Sequence, residues 1–379
     1  MCTLCDSDNI ENVYTPIKSK IDLSINICTN CGHVFASYDQ IKFDDENSSQ
    51  RSGKIKKLSC EADYSEIRVG KQQMVNYFFD AYEQLSNKFH IQKVLDFKSA
   101  RGDFALKALD YFNLSSIDCI EEDVYMTESY KDNHKINISY KKYYESFVDN
   151  AYDLIYSCHS LEHYRDPKNV LLNIRQKLKN DGLFYIDVPN IETIDNKINI
   201  DDFFYDKHLH YFTSDLLVKI IENLGFKLLI DNTSHNNIGL LFQKVDSINS
   251  VELPNYYEVN KKKINKYKKN LANNRKKIRQ NINFINDMFD IHENNAIIGC
   301  GRALDAMIKY GNLDISKFNY FVDDFLVKAT DSIYDNLLLS TEQLENIDGA
   351  LLLVKTPSQK ILNKLKDAKI LVTYDEILK

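Results

Sequence analysis

Four short apolar runs, KVLDF, SIDCI, YDLIYS and GLFYIDVPN, recur between residues 93 and 190, separated by stretches that read as helices. This alternation of buried strands and amphipathic helices predicts a doubly wound α/β sheet, because parallel neighbours need a crossover that covers the sheet face. The best-marked crossover follows YDLIYS. Asp166 is placed to cap a helix and Pro167 suits its first turn; Val170, Leu171, Ile174 and Leu178 make an apolar stripe, and Gly182 ends the connection. In such sheets ligands bind beyond the carboxyl ends of strands, near the switch in strand order. The loops DFKSARGD, IEED and SCHSLEH would meet there.

The first of these loops, within VLDFKSARGDF, has the shape of a cofactor turn short of one glycine. Glycines in such turns let the backbone approach a ligand and tolerate positive φ. Lys98 stands where the first glycine is wanted, and only Gly102 remains. Glu121, ending the second strand, is suited to accept hydrogen bonds from ribose hydroxyls, or else is a surface carboxylate just past a strand. The third loop supplies His159, Glu162 and His163 on the same expected ligand side, with Glu162 as able to cap or pack as to bind.

Eight cysteines divide into two classes. Cys2, Cys5, Cys28 and Cys31 form two CxxC pairs, a spacing that turns four thiolates toward one tetrahedral Zn²⁺ and leaves no open position for catalysis. The expectation is a structural zinc stapling a lobe too small to hold itself by its core. His33 could compete as a ligand or serve in packing. Cys60, Cys119, Cys158 and Cys300 are scattered singly and read as packing residues. The polar stretch with DDENSSQRSGKIKK is a solvated linker or a lid.

Beyond residue 250 a basic segment carries Ile264, Tyr267, Leu271, Ile278, Ile282, Ile285 and Phe289 near helical spacing, predicting a long connecting helix with solvated lysines. NNAIIGCGRALDAMI then repeats the strand, glycine turn and helix, followed by FNYFVDD, GALLLV and AKILVTY, which reads as a second Rossmann-like unit. The implied partition is 1–69 for a zinc-binding lobe and linker, 70–250 for the first α/β domain, 251–290 for a helical linker and 291–379 for the second. A formal net charge of −7 argues against nucleic acid as a partner, and no apolar run spans a bilayer. The N-terminus lacks a signal-peptide pattern, so the chain is expected to be soluble and cytoplasmic, its oligomeric state open.

SCHSLEHYRDPKNVLLNIRQKLKNDGLFYIDVPN resembles the block from the fourth to the fifth strand of class I S-adenosylmethionine (SAM) methyltransferases. With the CxxC pairs upstream and FFYDKHLHYFTSDLLVKIIENLGF downstream, the chain is similar over nearly its whole length to three-part enzymes that C-methylate nucleotide-linked deoxyketosugars. That resemblance implies a zinc lobe, a SAM-binding middle domain and a second Rossmann-like domain that helps hold a nucleotide-sugar. It places Asp96, Lys98 and Gly102 in the cofactor loop, with Glu121, His159, Glu162 and His163 around the cofactor. It places His208 as the catalytic base and Tyr205 as a proton donor or orienter. Lys207, a third catalytic candidate, stands where the family has glutamate, and Lys98 where it has glycine, so two cations enter the expected cleft. His210, Gly299, Gly301 and Arg302 become candidate substrate contacts. C-methylation needs a base beside a ketone, donors for the enolate and a methyl donor in line. Two other readings use the same residues: a scaffold that has lost SAM and transforms a nucleotide-sugar by proton transfer, and a non-catalytic nucleotide-sugar binder.

Overall fold

The computed structural model describes residues 1–17, 19, 21–42, 72–85, 88–141, 147–196, 200, 202–234, 236–246, 251–328, 330–354 and 357–377. The stretch DDENSSQRSGKIKK and Cys60 lie outside them. The chain divides into two compact units, one formed by residues 1–53, 69–195 and 204–265, the other by 54–68, 196–203 and 266–379.

In the first unit β1 (Ile10–Tyr14), β2 (Ser24–Cys28) and β3 (Val34–Ser37) form an antiparallel ribbon. Helix α1 (Gln72–Glu83) precedes the α/β sheet, whose strands are β4 (Val94–Phe97), β5 (Ile117–Ile120), β6 (Ile136–Ser139), β7 (Tyr152–Cys158) and β8 (Leu178–Pro189). These five run parallel in the order β6-β5-β4-β7-β8, so the order reverses between β4 and β7. Next in the chain, β9 (His210–Tyr211) leaves this sheet and pairs antiparallel with β3, Phe35 opposite His210. β10 (Phe226–Asp231) and β11 (Asn237–Lys244) extend the large sheet antiparallel beyond β8.

The crossovers follow the sequence closely. Helix α2 (Asp103–Tyr111) lies between β4 and β5, and α3 (Pro167–Lys177) is capped by Asp166, whose carboxylate accepts from the Asn169 backbone N–H at 3.0 Å. Leu178 is the C-cap of α3 and also the first residue of β8, so the strand begins four residues before Gly182. One sheet face is covered by stacked rings, Phe104 on Tyr156 at 3.8 Å and Tyr156 on Tyr185 at 5.5 Å, with Phe78 of α1 edge-on to all three. Leu171 of α3 and Leu217 of α4 (Ser214–Asn223) pack with Phe184 and Phe242 in a second core.

The basic segment folds as α5 (Tyr257–Asp290), and all seven of its stripe residues are buried. Its first turns belong to the first unit and hold the cysteine lobe there. The Asn260 amide donates to the Gly32 carbonyl at 2.9 Å, and the Tyr256 N–H donates to the Cys31 carbonyl at 3.1 Å. In the second unit β12 (Asn295–Ile298), β13 (Tyr320–Val322), β14 (Ser332–Ile333), β15 (Asn336–Leu339), β16 (Gly349–Leu352) and β17 (Ile370–Thr373) form one sheet. All run parallel except β14, an antiparallel edge. Among the described residues no helix is long and apolar enough to cross a membrane.

Candidate active site

The loop after β4 has a backbone made for glycine but carries side chains. Lys98, Ala100 and Gly102 all sit at positive φ (64°, 49° and 76°). Non-glycine residues in that region each cost roughly 1–2 kcal/mol, so neighbouring groups must hold the turn. Glu121, at the end of β5, accepts from the Ala100 N–H at 2.9 Å and the Asp123 N–H at 3.1 Å. Ser99 hydrogen-bonds the Tyr130 hydroxyl at 2.6 Å, and a Cβ at Gly102 would stand 2.6 Å from the Tyr130 ring. Lys98 pairs with Glu122 at 3.1 Å, with its ammonium 6.0 Å from the Tyr164 ring centre. The loops after β4, β5 and β7 therefore do meet. The cation expected at Lys98 is thus paired with Glu122.

The donor set fits an adenosyl ligand in placement: a buried acid ends the second strand beside a close-turning loop at the switch point, with Asp96 buried on β4. Glu121 already serves two backbone donors. A carboxylate has about four lone-pair sites, so a ribose would share it with the loop.

The loop after β7 begins at His159, also at positive φ (47°), whose N–H donates to the Asp187 carbonyl at 2.8 Å. It brings Glu162, wholly buried, against three imidazoles. His159 Nδ1 lies 3.6 Å from the Glu162 carboxylate, and the Nε2 atoms of His163 and His208 each lie 3.8 Å away. Across this cluster runs the segment before β9. The Leu209 N–H donates to the Glu162 carbonyl at 2.8 Å, the Lys207 carbonyl faces His163 Nδ1 at 2.8 Å, and the Tyr205 hydroxyl meets His208 Nε2 at 2.5 Å. His208 is buried, 7% exposed. The structure thus joins His208 and Tyr205 with Glu162, His159 and His163, which were expected around a cofactor instead.

His210 is corrected. It is buried, and its Nδ1 lies 2.9 Å from Nε2 of His33, itself buried beside the cysteine knuckles. Burial pushes His210 down to about 4, opposed by hydrogen bonds to the backbone of Arg165 and Tyr164. A histidine depressed in the folded state contributes stability above its unfolded value near 6.5, and that contribution is lost as pH falls. His210 is therefore expected to withdraw about 3 kcal/mol between pH 6.5 and 4. Chemical denaturation across that window should show a slope shallower by about one proton in His210→Gln. An unchanged slope would mean that the ring is not buried neutral.

The four thiolates of Cys2, Cys5, Cys28 and Cys31 converge, all Sγ atoms within 4.8 Å of one another. Two pairs stand at 3.8 and 3.5 Å. Thiolates at about 2.3 Å from a tetrahedral zinc are separated by roughly 3.8 Å, so the donor set fits that ion. Gly32 closes the knuckle at φ 77°, where a Cβ would strike the backbone of Tyr256 at 2.3 Å. In the second unit Gly299 has φ 92°, an added Cβ at Gly301 would meet nothing within 4 Å, and Arg302 donates to the Asp202 carbonyl at 3.2 Å. Asp323, ending β13, accepts from the Cys300 N–H at 3.0 Å, the same device that Glu121 applies to Ala100.

A family model for a methyltransferase domain matches residues 68–230. No curated protein matches the chain by sequence. Among solved structures the chain is similar to an S-adenosylmethionine-dependent methyltransferase from Clostridium acetobutylicum, at 12% identity over 49% of this chain and 93% of that one, with TM-score 0.39. It is also similar to the Burkholderia thailandensis 1,6-didemethyltoxoflavin-N1-methyltransferase, at 13% identity over 56% and 96%, with TM-score 0.40. Likenesses this distant carry no argument about this chain, and substrate does not follow from fold. Residues 68–230, which match the methyltransferase-domain model, hold the doubly wound sheet from α1 into β10.

Proposed function

We propose that this protein transfers a methyl group from SAM to a carbon beside the ketone of a nucleotide-linked deoxysugar. In this reading residues 1–69 are a zinc lobe and linker, 70–250 the SAM domain, 251–290 a helical linker, and 291–379 a domain holding the nucleotide-sugar through Gly299, Gly301 and Arg302. The observation that carries it is the contact of His208 Nε2 with the Tyr205 hydroxyl at 2.5 Å, beside the meeting loops of a methyltransferase domain. His208 accepts the proton as the substrate C–H bond breaks, and the electron pair stays on the substrate as an enolate. Tyr205 orients the imidazole and offers its hydroxyl to the developing oxyanion. Asp96, Gly102 and Glu121 would hold SAM, which would supply an electrophilic methyl group and leave as S-adenosylhomocysteine when its sulfur–methyl bond breaks.

Calorimetric titration of the full zinc-loaded chain with S-adenosylhomocysteine tests the cofactor. Micromolar binding is expected, within about tenfold in Lys98→Gly, since φ 64° suits glycine and the Lys98–Glu122 pair is partly solvated. Binding by neither protein defeats the reading. Binding by the glycine variant alone would mean that the lysine closes the site, favouring proton transfer without a methyl donor.

A further inference from the structure

Glu162 is the most completely buried member of the histidine cluster, and hydrogen-bond partners fix how two of the rings face it. The Lys207 carbonyl only accepts, so His163 Nδ1 carries hydrogen and its other nitrogen turns toward Glu162. A neutral His163 thus presents a lone pair to a carboxylate 3.8 Å away, and gaining a proton turns that repulsion into attraction. For His159 the order is reversed. The Asn237 amide donates to Asp187 Oδ1 at 2.9 Å, so the same nitrogen donates to His159 Nε2 at 3.1 Å. His159 Nδ1 lies on the Glu162 side at 3.6 Å, while its Nε2 stands 3.4 Å from Asp187 Oδ1. His208 Nε2 lies between the Tyr205 hydroxyl and Glu162. The His163 and His208 rings meet edge to face at 5.0 Å, and the His163 side chain is 39% exposed.

We propose that Glu162 is a positioning carboxylate shared by His208 and His163, stabilising the imidazolium formed when His208 takes a proton and leaving His163 to exchange that proton with solvent. This deepens the proposed function and rests on it only for the identity of the proton. The proton passes between imidazole and solvent, and nothing is oxidised or reduced. Among the described residues, Lys207, Asp206 and Tyr205 adjoin His208 in the chain, Tyr164 and Arg165 follow His163, Asp187 on β8 lies 3.4 Å from His159, and the Tyr211 ring on β9 lies 6.2 Å from that of His208. Asp206 is held by Ser19, whose hydroxyl donates to it at 2.5 Å.

The test is histidine titration by NMR on ¹⁵N-imidazole-labelled full chain with zinc bound, without substrate. In Glu162→Gln the midpoints of His208 and His163 should fall by about one pH unit or more, while the exposed His90 and His134 do not move. Glu162→Asp keeps the charge and should retain part of the shift, which supplies the comparison if the glutamine variant fails to fold. Unmoved midpoints in a folded variant overturn the proposal. So would co-ordinated loss of both Nε2 signals on adding a second equivalent of Zn²⁺, which would make the cluster a metal site. S-adenosylhomocysteine binding, measured on the same samples, separates failure of this inference from failure of the methyltransferase reading.

Discussion

Replacing His208 by asparagine is expected to lower methyl transfer about 10²–10⁴-fold while leaving S-adenosylhomocysteine affinity unchanged. Asparagine is smaller and polar, and the pocket is bounded by His163, Tyr205 and Tyr211, ring partners that persist without the imidazole. What it cannot do is accept a proton near neutral pH. The measurement is initial-rate transfer of labelled methyl from SAM to a panel of nucleotide-linked ketodeoxysugars, with solvent-deuterium exchange into the sugar followed in parallel. Both should fall together. Tyr205→Phe separates the partners: a smaller loss makes the tyrosine an orienter, and an equal loss means that the two act as one unit. Full exchange activity in the asparagine variant would remove His208 from the mechanism.

Removing the metal should have the other large effect. Zinc contributes about 10–16 kcal/mol to the folding of isolated zinc-finger peptides, and among the described residues this lobe has three short strands of its own. Its third strand carries β9, with the Ala36 N–H donating to the Leu209 carbonyl at 2.8 Å and His33 held against His210 at 2.9 Å. Loss of the ion therefore reaches the segment that presents His208. Metal analysis of the native chain should find one zinc per chain. Chelation should lower the melting temperature by about 10 °C or more and activity more than about tenfold, both restored by re-adding Zn²⁺. A chain that is stripped of zinc yet melts unchanged would show that the knuckles hold themselves without an ion.

Patterns with short physical range were legible. The order of apolar runs, the Asp166–Pro167 helix start and the buried stripe of α5 each depend on residues a few positions apart, where periodicity and capping act. The spacing of Cys2, Cys5, Cys28 and Cys31 likewise specified convergence, because each knuckle is a local turn. The glycine missing at Lys98 marked a positive-φ site correctly, but composition could not reveal that Glu122 would neutralise it.

What only the tertiary structure decided is which groups face each other. His208 and His210 share a strand-like stretch, and nothing local separates a base from a packing residue. The difference arises because β9 pairs with β3 of the cysteine lobe, which turns His210 to His33, while the turn before it brings His208 to Tyr205 and Glu162. Glu162 gained three imidazole neighbours from residues 159, 163 and 208, of which two are within four positions and the third arrives from a separate segment. The sequence by itself determined the elements and the chemical types available. The pairing of distant segments, driven by burying their apolar faces together, decided which of those groups are held against one another in the same dry space.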